Sequence, residues 1–245
     1  GSNANDFFRV TPVSARFLSG TGGVWHVARG FDTIIGYGRG GNLIDKLILH
    51  DTPAADTFTI KPLEATLVTP TYTVAAHGFG TKQIYRVNPD GPDDSMAMAD
   101  SQWDDTLVGN PEAVTLSGSR PGYSNTALGF PSVRAYSTGN GHDTAYLADF
   151  TGPDDPRAES DTFTANSLVV QLTGPGYNLW ARLFDEVRAE AKGGRDIAKL
   201  KGNANANVLT AAATEVSFAG TNLLGPFIYY ARSFDEVETL AGAGQ

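Results

Sequence analysis

Carboxylates recur in this chain at spacings that could bind a cation. Asp45, Asp94, Asp143 and Asp196 each open a short run of alternating apolar residues, and Asp51, Asp100 and Asp149 close three of those runs. If equivalent turns stack, like charges rise along one edge. Their repulsion is relieved either by backbone N–H groups, which makes the residues turn caps, or by a hard cation such as Ca²⁺, which makes them metal ligands. Two further acidic groups, Asp90 with Asp93 and Asp94, and Asp154 with Asp155, sit in proline-broken segments that read as solvated surface loops, with a calcium site as the alternative.

A second set of side chains could bind sugars. Tyr37 and Tyr136 fall on the outward face of aligned strands, and Trp25 and Trp180 occupy nearly equivalent places, so exposed rings could stack on pyranose faces unless they cover the core instead. Uronate-polymer cleavage would need a base beside a charge neutraliser. His77, Lys82, Tyr85 and Arg86 offer such groups, scattered through the least regular part of the chain. Other chemistries find no motif. Cysteine is absent, which removes disulfides and thiolate catalysis. His26, His50, His77 and His142 have no zinc-ligand spacing, and there is neither a Gly-x-Ser-x-Gly elbow nor a phosphate-binding loop. The glycine-rich segment 38–41 reads as a turn. The Gly-Gly-x-Gly-x-Asp nonapeptide of calcium-binding β-rolls is also missing.

These residues recur because the chain is a tandem repeat. An opening Asp (Asp6, Asp56, Asp105, Asp161), a Leu-x-Gly, a Gly-Phe or Phe-Asp and a closing Asp-x-Ala-x-Leu return about every fifty residues, giving copies at 5–54, 55–104, 105–160, 161–205 and 206–245. The longest interval contains the turn-rich insertion 152–157. Within copies the pattern alternates: Leu47 and Leu49, Met96 and Met98, Ala145 and Leu147, and Ala198 and Leu200 share one face, as do Val187, Ala189 and Ala191. That is the signature of strands with one buried side. Residues 178–192 alone have helical spacing, with Leu179, Trp180, Leu183, Phe184 and Val187 on one stripe. Their counterparts at 31–38 and 130–136 carry Gly, Pro and β-branched residues, so strand is expected in every copy.

Four or five short strands per copy, with small residues in register, predict an all-β right-handed parallel β-helix, a β-solenoid of about five repeats with about two coils each. A five-bladed β-propeller is the alternative, since one copy also matches one blade. The motifs Phe184-Asp185-Glu186-Val187, Gly193-Gly194-Arg195-Asp196-Ile197-Ala198-Lys199-Leu200 and Asp161-Thr162-Phe163 resemble a tandem repeat of very large secreted or surface bacterial proteins. That resemblance spans nearly the whole chain and implies an extracellular array of β-helix type, without implying a catalytic residue.

Composition agrees with many strands and tight turns: 18% charged residues, 28 Gly and 13 Pro. A net charge of −9 disfavours nucleic acid, anionic membranes and acidic polysaccharides as partners, and no apolar run is long enough to insert in a bilayer. Gly1-Ser2 and the interrupted last copy suggest one repeat domain cut from a longer protein. The expected function is a non-enzymatic structural or adhesive module of a secreted or cell-surface bacterial protein, calcium-stabilised if the Asp rows bind metal. Its partner would be an extracellular glycan or surface protein, and its exposed ends would favour end-to-end self-association. A polysaccharide-binding or lyase-type β-helix domain is the alternative.

Overall fold

Alternation of small or apolar side chains with polar ones gives every copy the same local answer, short strands with one face buried. In the computed structural model, which describes residues 5–20, 23–38, 45–88, 94–138, 140–149, 160–205, 207–240 and 242, these residues form strands and no helix. The acidic residues Asp90, Asp93, Asp154 and Asp155 and most of the 38–41 turn lie outside the described residues.

The first copy gives β1 (Phe7–Thr11), β2 (Ser14–Leu18), β3 (Trp25–Ala28), β4 (Thr33–Tyr37) and β5 (Lys46–His50). The second gives β6 (Thr57–Ile60), β7 (Glu64–Val68), β8 (Thr73–His77), β9 (Thr81–Tyr85) and β10 (Ser95–Ala99). The third gives β11 (Asp105–Gly109), β12 (Ala113–Ser119), β13 (Gly122–Leu128), β14 (Ser132–Tyr136) and β15 (Thr144–Ala148). The fourth gives β16 (Thr162–Asn166), β17 (Val169–Gly174), β18 (Tyr177–Arg182), β19 (Glu186–Glu190) and β20 (Ile197–Lys201). The last gives β21 (Val208–Ala211), β22 (Glu215–Thr221), β23 (Pro226–Arg232) and β24 (Glu236–Leu240).

The chain divides into two compact units, Gly1–Ser101 with Glu112–Val133, and Gln102–Pro111 with Arg134–Gln245. In the first unit one sheet runs β12-β13-β9-β5-β1-β2-β3 and the other β10-β6-β7-β8-β4. Within it β1, β5, β9 and β13 are parallel neighbours, as are β6 with β10 and β4 with β8. The second unit has one sheet of β21-β22-β23-β19-β15-β11 and another of β24-β20-β16-β17-β18-β14, again parallel between copies. The fold is thus a β-solenoid, as the repeat predicts. A propeller is not formed, because strands pair in parallel with the neighbouring copy instead of closing into antiparallel four-stranded blades.

The coil differs from a purely parallel helix in one respect. Four copies begin with an antiparallel meander lying in a single sheet (β1–β2–β3, β6–β7–β8, β16–β17–β18, β21–β22–β23), and the first, second and fourth then send single strands to alternate sheets. The first, second and fourth copies therefore make three passes, one and a half coils instead of about two, because the meander absorbs strands that would otherwise cross. An odd number of passes forces successive copies to start on opposite sheets.

Inward residues are closely packed. Val10, Leu47, Leu49, Phe58, Leu67, Val74, Ile84 and Met98 have no exposure in the first unit, nor do Ala145, Phe163, Leu172, Val187 and Ala198 in the second. The two sheets of the first unit meet where the Phe8 ring of β1 fills the space above Gly36 of β4: a Cβ there would lie 2.3 Å from the ring. The helical stripe at 178–192 is broken at Leu183, which takes a positive φ of 65° and turns the chain from β18 into β19.

Candidate functional site

All seven aspartates singled out by spacing, Asp45, Asp51, Asp94, Asp100, Asp143, Asp149 and Asp196, are buried, none more than 4% exposed. So are the opening aspartates Asp6, Asp56, Asp105 and Asp161, which the sequence reading used as landmarks of the repeat and not as site residues. Their equal periodicity was the signal that they belong to the same structure.

The geometry of these residues follows one rule. Where two strands are parallel neighbours, the carboxylate at the start of one accepts the N–H of the Asp that starts the other. Asp45 accepts from Asp6 at 2.9 Å, Asp94 from Asp56 at 2.8 Å, Asp143 from Asp105 at 2.9 Å and Asp196 from Asp161 at 2.8 Å. In the second unit the rows extend one rung, since Asp185 accepts from Asp143 and Asp235 from Asp196. The closing residues do the same for the loops beyond the strands: Asp51 accepts from Val87 and Asn88, and Asp149 from Lys192. Charge-assisted bonds of this kind contribute about 1.5–3 kcal/mol each. They hold strand starts in register, which is what stacking copies requires.

The aspartates differ in what satisfies their remaining oxygens. In the first unit Asp56 accepts both the amide and the hydroxyl of Thr52, and Asp94 Oδ2 lies 3.4 Å from the Arg86 guanidinium. In the second unit Asp143 Oδ2 accepts the Ser137 hydroxyl at 2.7 Å. Asp149, Asp161 and Asp196 also bring carboxylate oxygens within 4.8 Å of one another, with the Tyr177 hydroxyl near Asp161. Neither oxygen of Asp161 has a partner in hydrogen-bond geometry, nor does Oδ1 of Asp149. Burial, opposed by the nearby Tyr177 hydroxyl and reinforced by Asp149 and Asp196, pushes Asp161 up to about 7, and burial pushes Asp196 up to about 6. Gly174 leaves the room this arrangement needs, because a Cβ there would overlap Asp161 Oδ1.

The four aromatic residues do not form one row. In the first unit Trp25 is 48% exposed on β3, edge-on to Phe7, and Tyr37 is 59% exposed on β4 in the other sheet, stacked on His77 with ring centroids 5.4 Å apart. In the second unit Tyr136 and Trp180 do come together, lining a shallow depression with Arg134 and Arg182, and Arg134 lies over the Trp180 ring at 5.4 Å. A second depression, which sequence reasoning missed, is built on the row Val108–Tyr146–Arg188–Tyr230, with Arg188 over Tyr230 at 5.0 Å. Its residues come from four different strands, and only the strand register reveals the row.

The groups a lyase would need are committed elsewhere. Lys82 is fully buried, its Nζ donating to the Pro62 carbonyl at 2.5 Å and to Asn125 at 3.1 Å. Arg86 faces Asp94, Tyr85 stacks on His50, and His77 stacks on Tyr37. No protein-family model matches the chain, and no curated protein or solved structure shows significant similarity to it.

Proposed function

We propose that the chain is a non-enzymatic repeat module of a secreted or cell-surface bacterial protein, serving as a stiff spacer and an adhesive surface. One observation carries this reading: the carboxylates that recur in every copy are used to hold neighbouring strands at a common start, so the repeated polar chemistry serves the solenoid. Placement outside the cell follows from the resemblance of the Phe-Asp-x-Val and Gly-Gly-x-Asp-x-Ala-x-Leu motifs to repeats of large surface proteins. The test combines hydrogen exchange with a panel of uronate and neutral polysaccharides. A spacer protects the parallel strands of all complete copies to a similar degree and cleaves nothing. Turnover of any polymer would remove the reading.

A second reading, polysaccharide binding, is favoured by an outward arginine–aromatic pair. Arg134 over Trp180 combines a flat ring with a bidentate donor, a local pairing suited, against the net charge of −9, to sugars that carry carboxylates or sulfates. Arg188 over Tyr230, by contrast, already donates through Nε to Glu186. On a glycan array the wild-type protein is expected to retain such polymers, and Trp180→Ala to weaken that retention about tenfold. An array without hits, or hits indifferent to the substitution, would leave the spacer role alone.

A further inference from the structure

We infer that Asp149, Asp161 and Asp196 form a binding site for a single hard divalent cation of the Ca²⁺ type. The three carboxylates are each at most 2% exposed and present oxygens within 4.8 Å of one another. That separation is about twice a Ca–O bond, so ligands can reach one ion from opposite sides. Proximity alone would not make a site. The second observation is Asp161, 1% exposed, whose two oxygens both lack a partner in hydrogen-bond geometry although the Tyr177 hydroxyl lies near, while its neighbour Asp149 leaves Oδ1 without one as well. Buried carboxylate oxygens with no donor are costly, and a cation is the group that would compensate all three residues together.

The chain contains its own control. In the first unit the equivalent trio is Asp51, Asp56 and Asp94, with the same amide bond between the second and third members. There the side chains are provided for: the Arg86 guanidinium faces Asp94, the Thr52 amide and hydroxyl donate to Asp56, and Val87 and Asn88 donate to Asp51. Arg86 follows β9 directly, and its counterpart after β19 is Ala191, a methyl group 6% exposed. In sequence, Thr52 is replaced by Phe150. Copies three and four together have thus kept the three acids and lost both donor side chains, and the positive charge supplied covalently by Arg86 in one unit is supplied by a bound ion in the other. Asp161, with two available oxygens, is the principal ligand. Asp149 Oδ1 and one oxygen of Asp196 complete the protein's share, while Asp149 Oδ2 and the other Asp196 oxygen stay on the Lys192 and Asp161 amides.

The experiment uses the whole chain, stripped with chelator and titrated with CaCl₂ by calorimetry at mildly alkaline pH, together with melting in millimolar Ca²⁺ and in chelator. The expected result is one ion per chain and a melting midpoint about ten degrees higher with calcium. Asp161→Asn, which keeps the shape and removes the charge, should weaken binding about tenfold or more. Ala191→Arg, which copies the first unit's solution, should abolish the calcium response and raise the midpoint in chelator. Absence of binding to the wild-type chain overturns the inference, as does binding that survives Asp161→Asn. If that variant does not fold, an unchanged calcium response in Ala191→Arg overturns it instead.

Discussion

Lys82 and Asn125 occupy inward positions in the row that also contains Phe8 and Leu47, so a cation and an amide stand where the rest of the row is apolar. Both are fully buried, and between them they satisfy carbonyls of the turn between β6 and β7: Lys82 Nζ donates to Pro62, and Asn125 Nδ2 donates to Lys61 at 3.3 Å. Burial lowers Lys82 to about 7, with Glu64 opposing the shift only partly. The unfolded chain keeps this proton up to the ordinary lysine range near 10.5, whereas the folded chain gives it up near 7. Between those values the unfolded state binds more protons, so stability must rise with pH. The raised carboxylates Asp161 and Asp196 act in the opposite sense, Asp161 until about one unit above 7. The Tyr72, Tyr177 and Tyr229 hydroxyls, all raised by burial, oppose the rise again as pH nears 10, so Lys82 dominates between about 8 and 9. Denaturant titrations from pH 8 to about 9 should show the unfolding free energy climbing by up to about 1.4 kcal/mol per pH unit, and Lys82→Met should flatten the climb. A flat wild-type profile would mean that Lys82 stays charged in the core. None of this was legible from sequence, where Lys82 reads as one of the scattered groups a lyase would need, because the inward side of β9 is known only from its register with β5 and β13.

At the scale of the element, the turn before the recurrent Phe sets the copies' geometry. Gly30, Gly78, Gly129, Leu183 and Ser233 all have positive φ, between 62° and 79°. Four of them donate an equivalent backbone bond, to Leu63, Glu112, Leu168 and Thr214 respectively. Three copies use Gly, which reaches this region at no steric cost, and two force an L side chain into it. Ser233 is exposed, so its side chain has little packing to lose. Ser233→Gly should therefore stabilise the protein by roughly 0.5–1 kcal/mol, read as a higher denaturant midpoint at unchanged slope, less a part lost to the freer unfolded chain. A loss of stability would show that the Ser side chain supports the turn. The same position explains how the helix-like stripe at 178–192 could be set aside by alignment: Gly30 and Gly129 mark a turn that Leu183 hides. The alternating strands and the Asp rows could be read directly, since each depends on residues a few positions apart. The meander could not, because whether β7 pairs back onto β6 or crosses to another sheet leaves the same alternation in the sequence.

At the scale of the whole molecule, stacked copies protect one another's strand edges, and the protection stops where copies stop. In the first unit β3 and β4 end their sheets, and in the second β21 and β24 do. These strands are unusually apolar outside: Trp25, Val27, Ile35, Tyr37, Val208, Leu209 and Leu240 are each between 46% and 63% exposed. The net charge of −9 opposes association only weakly at physiological salt, where it is screened beyond about 8 Å. Among the described residues no further strand pairs with these edges, and edges with apolar side chains are templates for a further strand, which a second copy of the chain offers. Light scattering after size exclusion should therefore show a mass that grows with protein concentration and with added salt. Val27→Lys combined with Val208→Lys places charge on one edge of each unit and should return the chain to a monomer, with the melting midpoint little changed because both side chains are exposed. A wild-type chain that stays monomeric at high concentration and high salt would show that the edges are already protected by their own twist, and that a longer array gains nothing from contact between them.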